Sequence, residues 1–266
     1  MEGAPKRRNI KLTTPSLRTE NLTIRFGGHA AVDNVTCAFV PGELAVIVGP
    51  NGAGKTTWFN LVSGQLKPTE GRVFKGEEDI TRQSASARAK AGIGRAFQLT
   101  NLFPRLSVLE NIRLTVQAKA GQGPSIFRSV ASLAELKEKA EGFLEATRLS
   151  SVAELPAAAL PHGDQRKLEV AMLLAMEPDI FMFDEPTAGM SVDEAPVILE
   201  LIAGIKKDTT KTILLVEHKM DVVRALADRI VVLHNGQLVA DGEPGEVMSL
   251  PIVREIYLGV SEEEAV

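Results

Sequence analysis

The chain has 266 residues, of which 44% are hydrophobic, enough to form one large domain or one domain with an inserted lobe. Its net charge of -4 argues against broad nucleic-acid binding. The only cysteine, Cys37, cannot form an internal disulfide, and no apolar run approaches the roughly 20 residues that a membrane helix needs. Any association with a membrane must therefore come through a partner.

The first predicted elements follow a basic N-terminal stretch. Residues 1–16 carry three basic side chains without a following apolar run, which predicts a flexible tail and not a secretory signal. Residues 22–26 and 35–39 then alternate apolar and polar side chains. Such alternation predicts two half-buried strands of an antiparallel lobe.

Four continuous apolar runs are typical of strands buried on both faces. They cover residues 44–48, 180–183, 213–216 and 230–233. A helical pattern with one apolar face lies between the second and third runs, and alternating strands and helices predict a parallel sheet with right-handed crossovers. After the last run, Asn235-Gly236 predicts a β-hairpin.

Residues from about 102 to 161 have a different pattern. No buried strand is evident there, and Leu133, Leu136, Phe143, Leu144 and Thr147 fall on one face of a helix. We therefore predict a helical subdomain, about residues 99–165, with a loop at 121–124. The predicted fold class is α/β: a core with a parallel sheet, an antiparallel β lobe and this helical insertion, all within one domain over residues 17–266.

The strongest local motif directly follows the first buried run and precedes a predicted helix. Its glycines let the backbone curl so that N–H groups can point at phosphate oxygens, and the helix N-terminus adds positive potential. In this motif a lysine reaches the β- and γ-phosphates and the next hydroxyl ligates Mg²⁺. A glycine-rich turn with a chance lysine is the much weaker alternative. The motif consists of Gly49, Pro50, Asn51, Gly52, Ala53, Gly54, Lys55, Thr56 and Thr57.

Two acids end the second buried run. Asp184 is placed to bind Mg²⁺, directly or through water, and Glu185 to orient and deprotonate an attacking water. Two solvated acids at a strand end are the alternative reading, but the upstream phosphate loop favours the catalytic one. The predicted cofactors are therefore ATP and Mg²⁺.

Together these motifs resemble the ABC ATPase family over nearly the whole chain. The resemblance implies that Phe26 stacks on adenine, that Gln98 ligates Mg²⁺ and water, and that His218 contacts the γ-phosphate. It also identifies residues 188–193 as the segment that communicates across a dimer. From the residues alone, Phe26 could instead be a core side chain, Gln98 an exposed polar residue and His218 a structural histidine.

The family's signature segment, Leu-Ser-Gly-Gly-Gln, opens a helix that binds the partner subunit's γ-phosphate. Here it corresponds to Leu160, Pro161, His162, Gly163 and Asp164. Pro161 replaces the serine hydroxyl and has no N–H to donate. A site built from the remaining backbone N–H groups can survive this change, and a weak composite site is the alternative.

Four features resemble the ATPase subunits of branched-chain amino-acid importers. They are the string GDQRKLE from Gly163, the string DEPTAGM from Asp184, the lengthened helical lobe, and the Tyr257-Leu258-Gly259 ending. The resemblance implies a second ABC ATPase subunit, transmembrane permease subunits and, indirectly, an external solute-binding protein. It places the chain peripherally on the cytoplasmic face of the inner membrane, without nucleic-acid partners.

Three alternatives remain open from the sequence. Relatives that import urea or another small amide or acid share this branch, and the ATPase does not touch the solute. A soluble ABC ATPase outside transport is a second alternative, although the coiled coils, second ATPase domain or basic patches usual in that class are not visible. A P-loop GTPase is disfavoured because no Asn-Lys-x-Asp string is present.

Overall fold

The computed structural model describes residues 14–96, 102–121 and 130–258, except for the side chains of residues 130–133, 257 and 258. The chain divides into two compact units. The first consists of residues up to Ile93, Asp179–Glu185, and residues from Lys206 onward; the second consists of Gly94–Pro178 and Pro186–Ile205. Gln98, most of the N-terminal tail, most of the 121–124 loop and Gly259 lie outside the described residues.

An antiparallel sheet begins the first unit. Its strand order is β2-β1-β4-β5, with β1 paired to β2 and β4 on either side. Both predicted strands are confirmed, but only β2 shows the predicted alternation, with Val35 and Phe39 buried; in β1, Thr23 is buried between Leu22 and Ile24. The strands are β1 Leu17–Phe26, β2 His29–Phe39, β4 Glu70–Lys75 and β5 Glu78–Asp79.

A six-stranded sheet has the order β10-β9-β3-β8-β7-β6, with β6, which begins at Ile93, at its edge. Strand β3 pairs in parallel with β8 and β9, and β7 pairs in parallel with β8. All four predicted apolar runs lie in these central strands, because strands covered on both faces need apolar side chains at every position. The strands are β3 Leu44–Val48, β6 Ile93–Ala96, β7 Ile180–Asp184, β8 Thr212–Val216, β9 Arg229–His234 and β10 Gln237–Gly242.

Strands β9 and β10 form the predicted hairpin. They pair antiparallel around Asn235 and Gly236, whose φ angles are 48° and 77°. Two consecutive positive φ angles are the conformation that an Asn-Gly hairpin turn requires. The sequence pattern missed β4, because only Val73 and Phe74 are buried in that charged strand.

The described part of the first unit also contains five helices. The first of them, α1, buries Trp58, Phe59, Leu61 and Val62 in the apolar core shared with β1, β2, β3, β7, β8 and β9. Burial of this apolar surface is the main stabilising contribution to the unit. The helices are α1 Lys55–Ser63, α2 Ala85–Lys90, α7 Met220–Leu226, α8 Pro244–Ser249 and α9 Pro251–Leu258.

The second unit is built mainly from helices. Leu136, Leu144 and Thr147 are buried on the predicted face, and Phe143 packs half-buried beside them. The bounds predicted for a helical subdomain, about 99–165, stay a prediction. The helices are α3 Val108–Lys119, α4 Val130–Ala146, α5 His162–Ala175 and α6 Ala195–Lys206, whose last residue belongs to the first unit.

Among the helices that the structure describes, none combines the length and apolarity needed to cross a membrane.

Candidate nucleotide site

The phosphate loop connects β3 to α1 with glycines at positions where the backbone bends sharply. Gly49, Gly52 and Gly54 have φ angles of 153°, 81° and 98°. A Cβ atom on Gly54 would lie 2.5 Å from the carbonyl oxygen of Ala31, and one on Gly49 would overlap the carbonyl oxygen of Leu233. Only glycine therefore fits at these two positions.

Gly52 differs from these two glycines because a Cβ atom there would have nothing within 4 Å. The loop is thus packed against the protein at Gly49 and Gly54 and open at Gly52. Helix α1 begins directly after it at Lys55, and the first N–H groups of a helix have no partner within the helix. Open space next to such N–H groups is what an anionic phosphate requires.

Lys55 lies inside the loop. Its ammonium donates to the carbonyl oxygens of Gly49 at 2.6 Å and Pro50 at 2.9 Å, and the residue is 7% exposed. Burial lowers the pKa of Lys55, while the nearby charges of Glu185 and Asp184 oppose that shift. The ammonium group of Lys55 and the carboxylates of Asp184 and Glu185, at the end of β7, therefore belong to one electrostatic site.

The two acids have different surroundings. Asp184 is buried at the end of β7, whereas the side chain of Glu185 is 31% exposed. Glu185 has a φ of 49°, and its N–H donates to the carbonyl oxygen of Val216 at 3.0 Å. A positive φ in a residue with a side chain is strained, and such strain concentrates at functional sites.

Two further titratable residues follow β8. The Nδ1 atom of His218 lies 3.9 Å from Oε1 of Glu185, so the structure brings these two predicted site residues together. Glu217 is 2% exposed, and burial raises the pKa of its carboxyl group. Glu217 is not among the predicted site residues, although an acid directly after a fully apolar strand is itself a signal.

Phe26 is the last residue of β1 and is 53% exposed. Its exposure contradicts the interpretation of residues 22–26 as half-buried throughout, because β1 leaves the core after Ile24. The alternative that Phe26 is a core residue is therefore wrong. An exposed ring at a strand end is free to stack on a planar ligand.

The signature segment begins α5 in the second unit. Leu160 is buried, Pro161 is the N-cap with φ −56° and ψ 157°, and no side chain caps the helix. The carboxylate of Asp164 accepts from Lys167 at 2.8 Å. The first turn of α5 therefore has no side-chain cap, and a site built from its backbone N–H groups stays a prediction.

The signature turn lies close to Gly189 and Glu194, which follow β7 in the chain. A Cβ atom on Gly163 would overlap the carboxylate of Glu194, which in turn accepts from the backbone N–H and the hydroxyl of Ser191 at 3.1 and 2.9 Å. A Cβ atom on Gly189 would lie 3.1 Å from Cε1 of His162. No motif in the sequence predicts that Glu194 contacts the signature turn.

Comparison with known proteins now assigns the family. The profile of the ABC transporter family matches residues 32–188. The chain belongs to the ABC transporter family. This ABC ATPase is similar to LivG of Escherichia coli (strain K12), the high-affinity branched-chain amino acid transport ATP-binding protein. The two are 36% identical over 253 residues, which are 93% of this chain and 99% of LivG.

Solved structures of ATP-binding cassettes share the fold. The ADP conformation of MJ1267, an ATP-binding cassette of an ABC transporter, matches with a TM-score of 0.77 and 32% identity over 93% of this chain and all of that one. A dimeric, post-hydrolysis state of the cassette MJ0796 bound to ADP and Pi matches with a TM-score of 0.74 and 27% identity over 85% of this chain and 98% of that one. The predicted fold class and ATPase class are confirmed.

Proposed function

We propose that this ABC ATPase hydrolyses ATP to energise uptake of branched-chain amino acids. The observation that supports this solute class is the likeness to LivG over 93% of the chain, since LivG is named for that transport. The strings GDQRKLE and DEPTAGM point to the same branch. The importers of urea or other small amides, and soluble ABC ATPases, have no comparable support.

The phosphate loop and Phe26 provide a site that fits ATP. The open backbone at Gly52 and the N-terminus of α1 would face the phosphates, with Lys55 between them, and Phe26 would stack on adenine. Thr56 and Asp184 would provide oxygen ligands of the kind that Mg²⁺ prefers, and the family resemblance adds Gln98. The metal ion would neutralise charge on the phosphates.

Glu185 would act as the general base. Its side chain is partly exposed whereas Asp184 is buried, so Asp184 would serve the metal ion while Glu185 receives a proton from water. His218, 3.9 Å from Glu185, would contact the γ-phosphate and hold the water and the base in line.

The signature turn would complete the site of a second ABC ATPase subunit. Because Pro161 lacks an N–H, the donors would be the backbone N–H groups of the next residues, at the positive end of the α5 dipole. This division of labour suits a pair in which each subunit supplies one phosphate loop and one signature turn.

An exposed apolar patch in the second unit supports a membrane partner. Phe103, Leu106 and Leu155 are 50%, 36% and 46% exposed. Their segments are joined by bonds from the Val108 N–H to the Leu155 carbonyl and from the Ala157 N–H to the Leu106 carbonyl. We assign this patch to transmembrane permease subunits, which would hold the chain at the cytoplasmic face of the inner membrane below an external solute-binding protein.

The assignment of Glu185 is tested by Glu185→Gln, which keeps the shape and removes the base. ATP turnover should fall roughly 100-fold or more while ATP binding persists. Glu200→Gln is the matched control, because Glu200 is exposed and pairs with the exposed Arg148 in the second unit. Near-normal turnover of Glu185→Gln would refute the assignment.

The solute is tested by deleting the gene and measuring uptake of labelled leucine and labelled urea. Loss of leucine uptake is expected, with urea uptake unchanged. The opposite result would move the chain to the amide importers. Unchanged uptake of every small solute would favour the soluble ATPase.

A further inference from the structure

The turn of the β9–β10 hairpin is hydrogen-bonded to the phosphate loop. The N–H of Gly236 donates to the carbonyl oxygen of Ala53 at 3.0 Å. Its carbonyl oxygen accepts from the N–H of Asp33, on β2, at 2.8 Å. Gly236 therefore joins the loop to the antiparallel sheet through its own N–H and its own carbonyl oxygen.

At Gly236 the turn is packed too closely for a side chain. A Cβ atom on Gly236 would lie 2.9 Å from the carbonyl oxygen and 3.1 Å from the carbonyl carbon of Ala31. A Cβ atom on Gly54 would meet that oxygen at 2.5 Å and the Cα atom of Gly236 at 3.3 Å. These neighbours are backbone atoms within or beside paired elements, so they cannot rotate aside as a side chain can.

A second, exposed layer of bonds fixes the hairpin to the end of β1. The amide of Gln237 donates to Oδ2 of Asp33 at 3.0 Å, and Arg25 donates to Oδ1 of Asp33 at 3.2 Å. Arg25 directly precedes Phe26. The hairpin thus bonds directly to the phosphate loop and is linked, through Asp33 on β2, to the strand that ends at Phe26.

We propose that Gly236 is a positioning residue for nucleotide binding. It touches no nucleotide and acts through Ala53, holding the phosphate loop in its curled conformation before ATP arrives. A loop that is already ordered loses less conformational entropy on binding, so affinity is higher. The inference rests on the proposed nucleotide role of the phosphate loop.

The test compares Gly236→Ala with Gly76→Ala. Gly76 has a φ of 56° in the turn between β4 and β5, and a Cβ atom there would have nothing within 4 Å. Both variants bear the strain of a side chain at positive φ, but only Gly236→Ala presses on the Ala31 carbonyl and the loop. Gly236→Ala should weaken ATP affinity about 5- to 10-fold, as expected for one displaced hydrogen bond, and raise the KM for ATP more than it lowers kcat.

Asn235→Gly provides the tolerated change, since glycine adopts the same positive φ, and it should bind ATP like the wild type. Equal ATP affinity in Gly236→Ala and Gly76→Ala would overturn the inference while leaving the ATPase assignment intact. Failure of the wild-type chain to bind ATP would refute the proposed function instead.

A one-glycine insertion between Asn235 and Gly236 covers the case in which Gly236→Ala does not fold. It withdraws the N–H from Ala53 without introducing a Cβ atom. A comparable loss of ATP affinity, with the melting temperature close to that of Gly76→Ala, is expected. Unchanged affinity in this variant would also overturn the inference.

Discussion

The phosphate loop in the first unit and the signature turn in the second are both glycine-containing turns that open a helix, yet they are packed differently. Gly49 and Gly54 face carbonyl oxygens of the backbone, those of Leu233 and Ala31. Gly163 faces the side chain of Glu194, and Gly189 faces the imidazole ring of His162.

The difference determines how much sequence change each turn can accept. A backbone carbonyl within a sheet cannot move without breaking paired strands, whereas the end of a glutamate or histidine can turn to another rotamer. The phosphate loop therefore keeps the full motif, while the signature turn accepts Pro161 and His162. The neighbours of the glycines at the signature turn are side chains that can change rotamer, so substitutions there are accommodated more easily.

The largest effect is expected for Gly54→Ala. The new methyl group would lie 2.5 Å from the Ala31 carbonyl oxygen at a residue with φ 98°, so the loop must unwind. ATP affinity should fall roughly 100-fold or more, a loss of about 3 kcal/mol, within the range for overpacking. Equilibrium binding of labelled ATP measures it, with Gly76→Ala as the control. An affinity within a few-fold of wild type would show that backbone neighbours give way as easily as side chains.

A smaller and reversible effect is expected at the signature turn. Gly163→Ala should lower ATP turnover roughly 10-fold by displacing the Glu194 carboxylate, an overpacking cost of about 1–3 kcal/mol. The double variant Gly163→Ala, Glu194→Ala removes that clash and should recover most of the turnover. His162→Tyr should have little effect, because its contact is the movable end of a ring.

The double variant separates two explanations of Gly163. If the methyl group obstructs the partner subunit's phosphate, turnover stays low whether or not Glu194 is present. Single Glu194→Ala provides the baseline for the comparison. No recovery in the double variant would reject the contact within the chain as the reason for glycine at this position.

The smallest of these effects concerns a part of the nucleotide site that neither turn controls. Phe26→Ala should weaken ATP affinity about 10-fold, because stacking on a base contributes about 1–3 kcal/mol. Its melting temperature should stay near that of the wild type, since the ring is half-exposed in the chain. Phe26→Tyr should be tolerated in both measurements. A lowered melting temperature without a change in ATP affinity would show that Phe26 has a purely structural role.

Several predictions succeeded because they depend on short stretches of chain. Strands β3, β7, β8 and β9 are buried on both faces, so each appears as a continuous apolar run. Asn235-Gly236 supplies the positive φ angles of its turn locally. The charged strand β4 escaped prediction because its place in the sheet comes from pairing with β1.

The sequence by itself determined the phosphate loop, the two acids at the end of β7 and the central strands. Each of these features depends on a short run of consecutive residues, so a local pattern is enough to predict it. Tertiary structure alone decided that Glu217 is buried, that Glu194 meets Gly163 and that Gly236 holds Ala53. The contact of Gly236 with Ala53 joins residues far apart in the chain, and it exists only because β9 pairs beside β3. Local sequence propensity cannot predict the contact between Gly236 and Ala53, because the order of strands in the sheet brings the hairpin turn and the phosphate loop together.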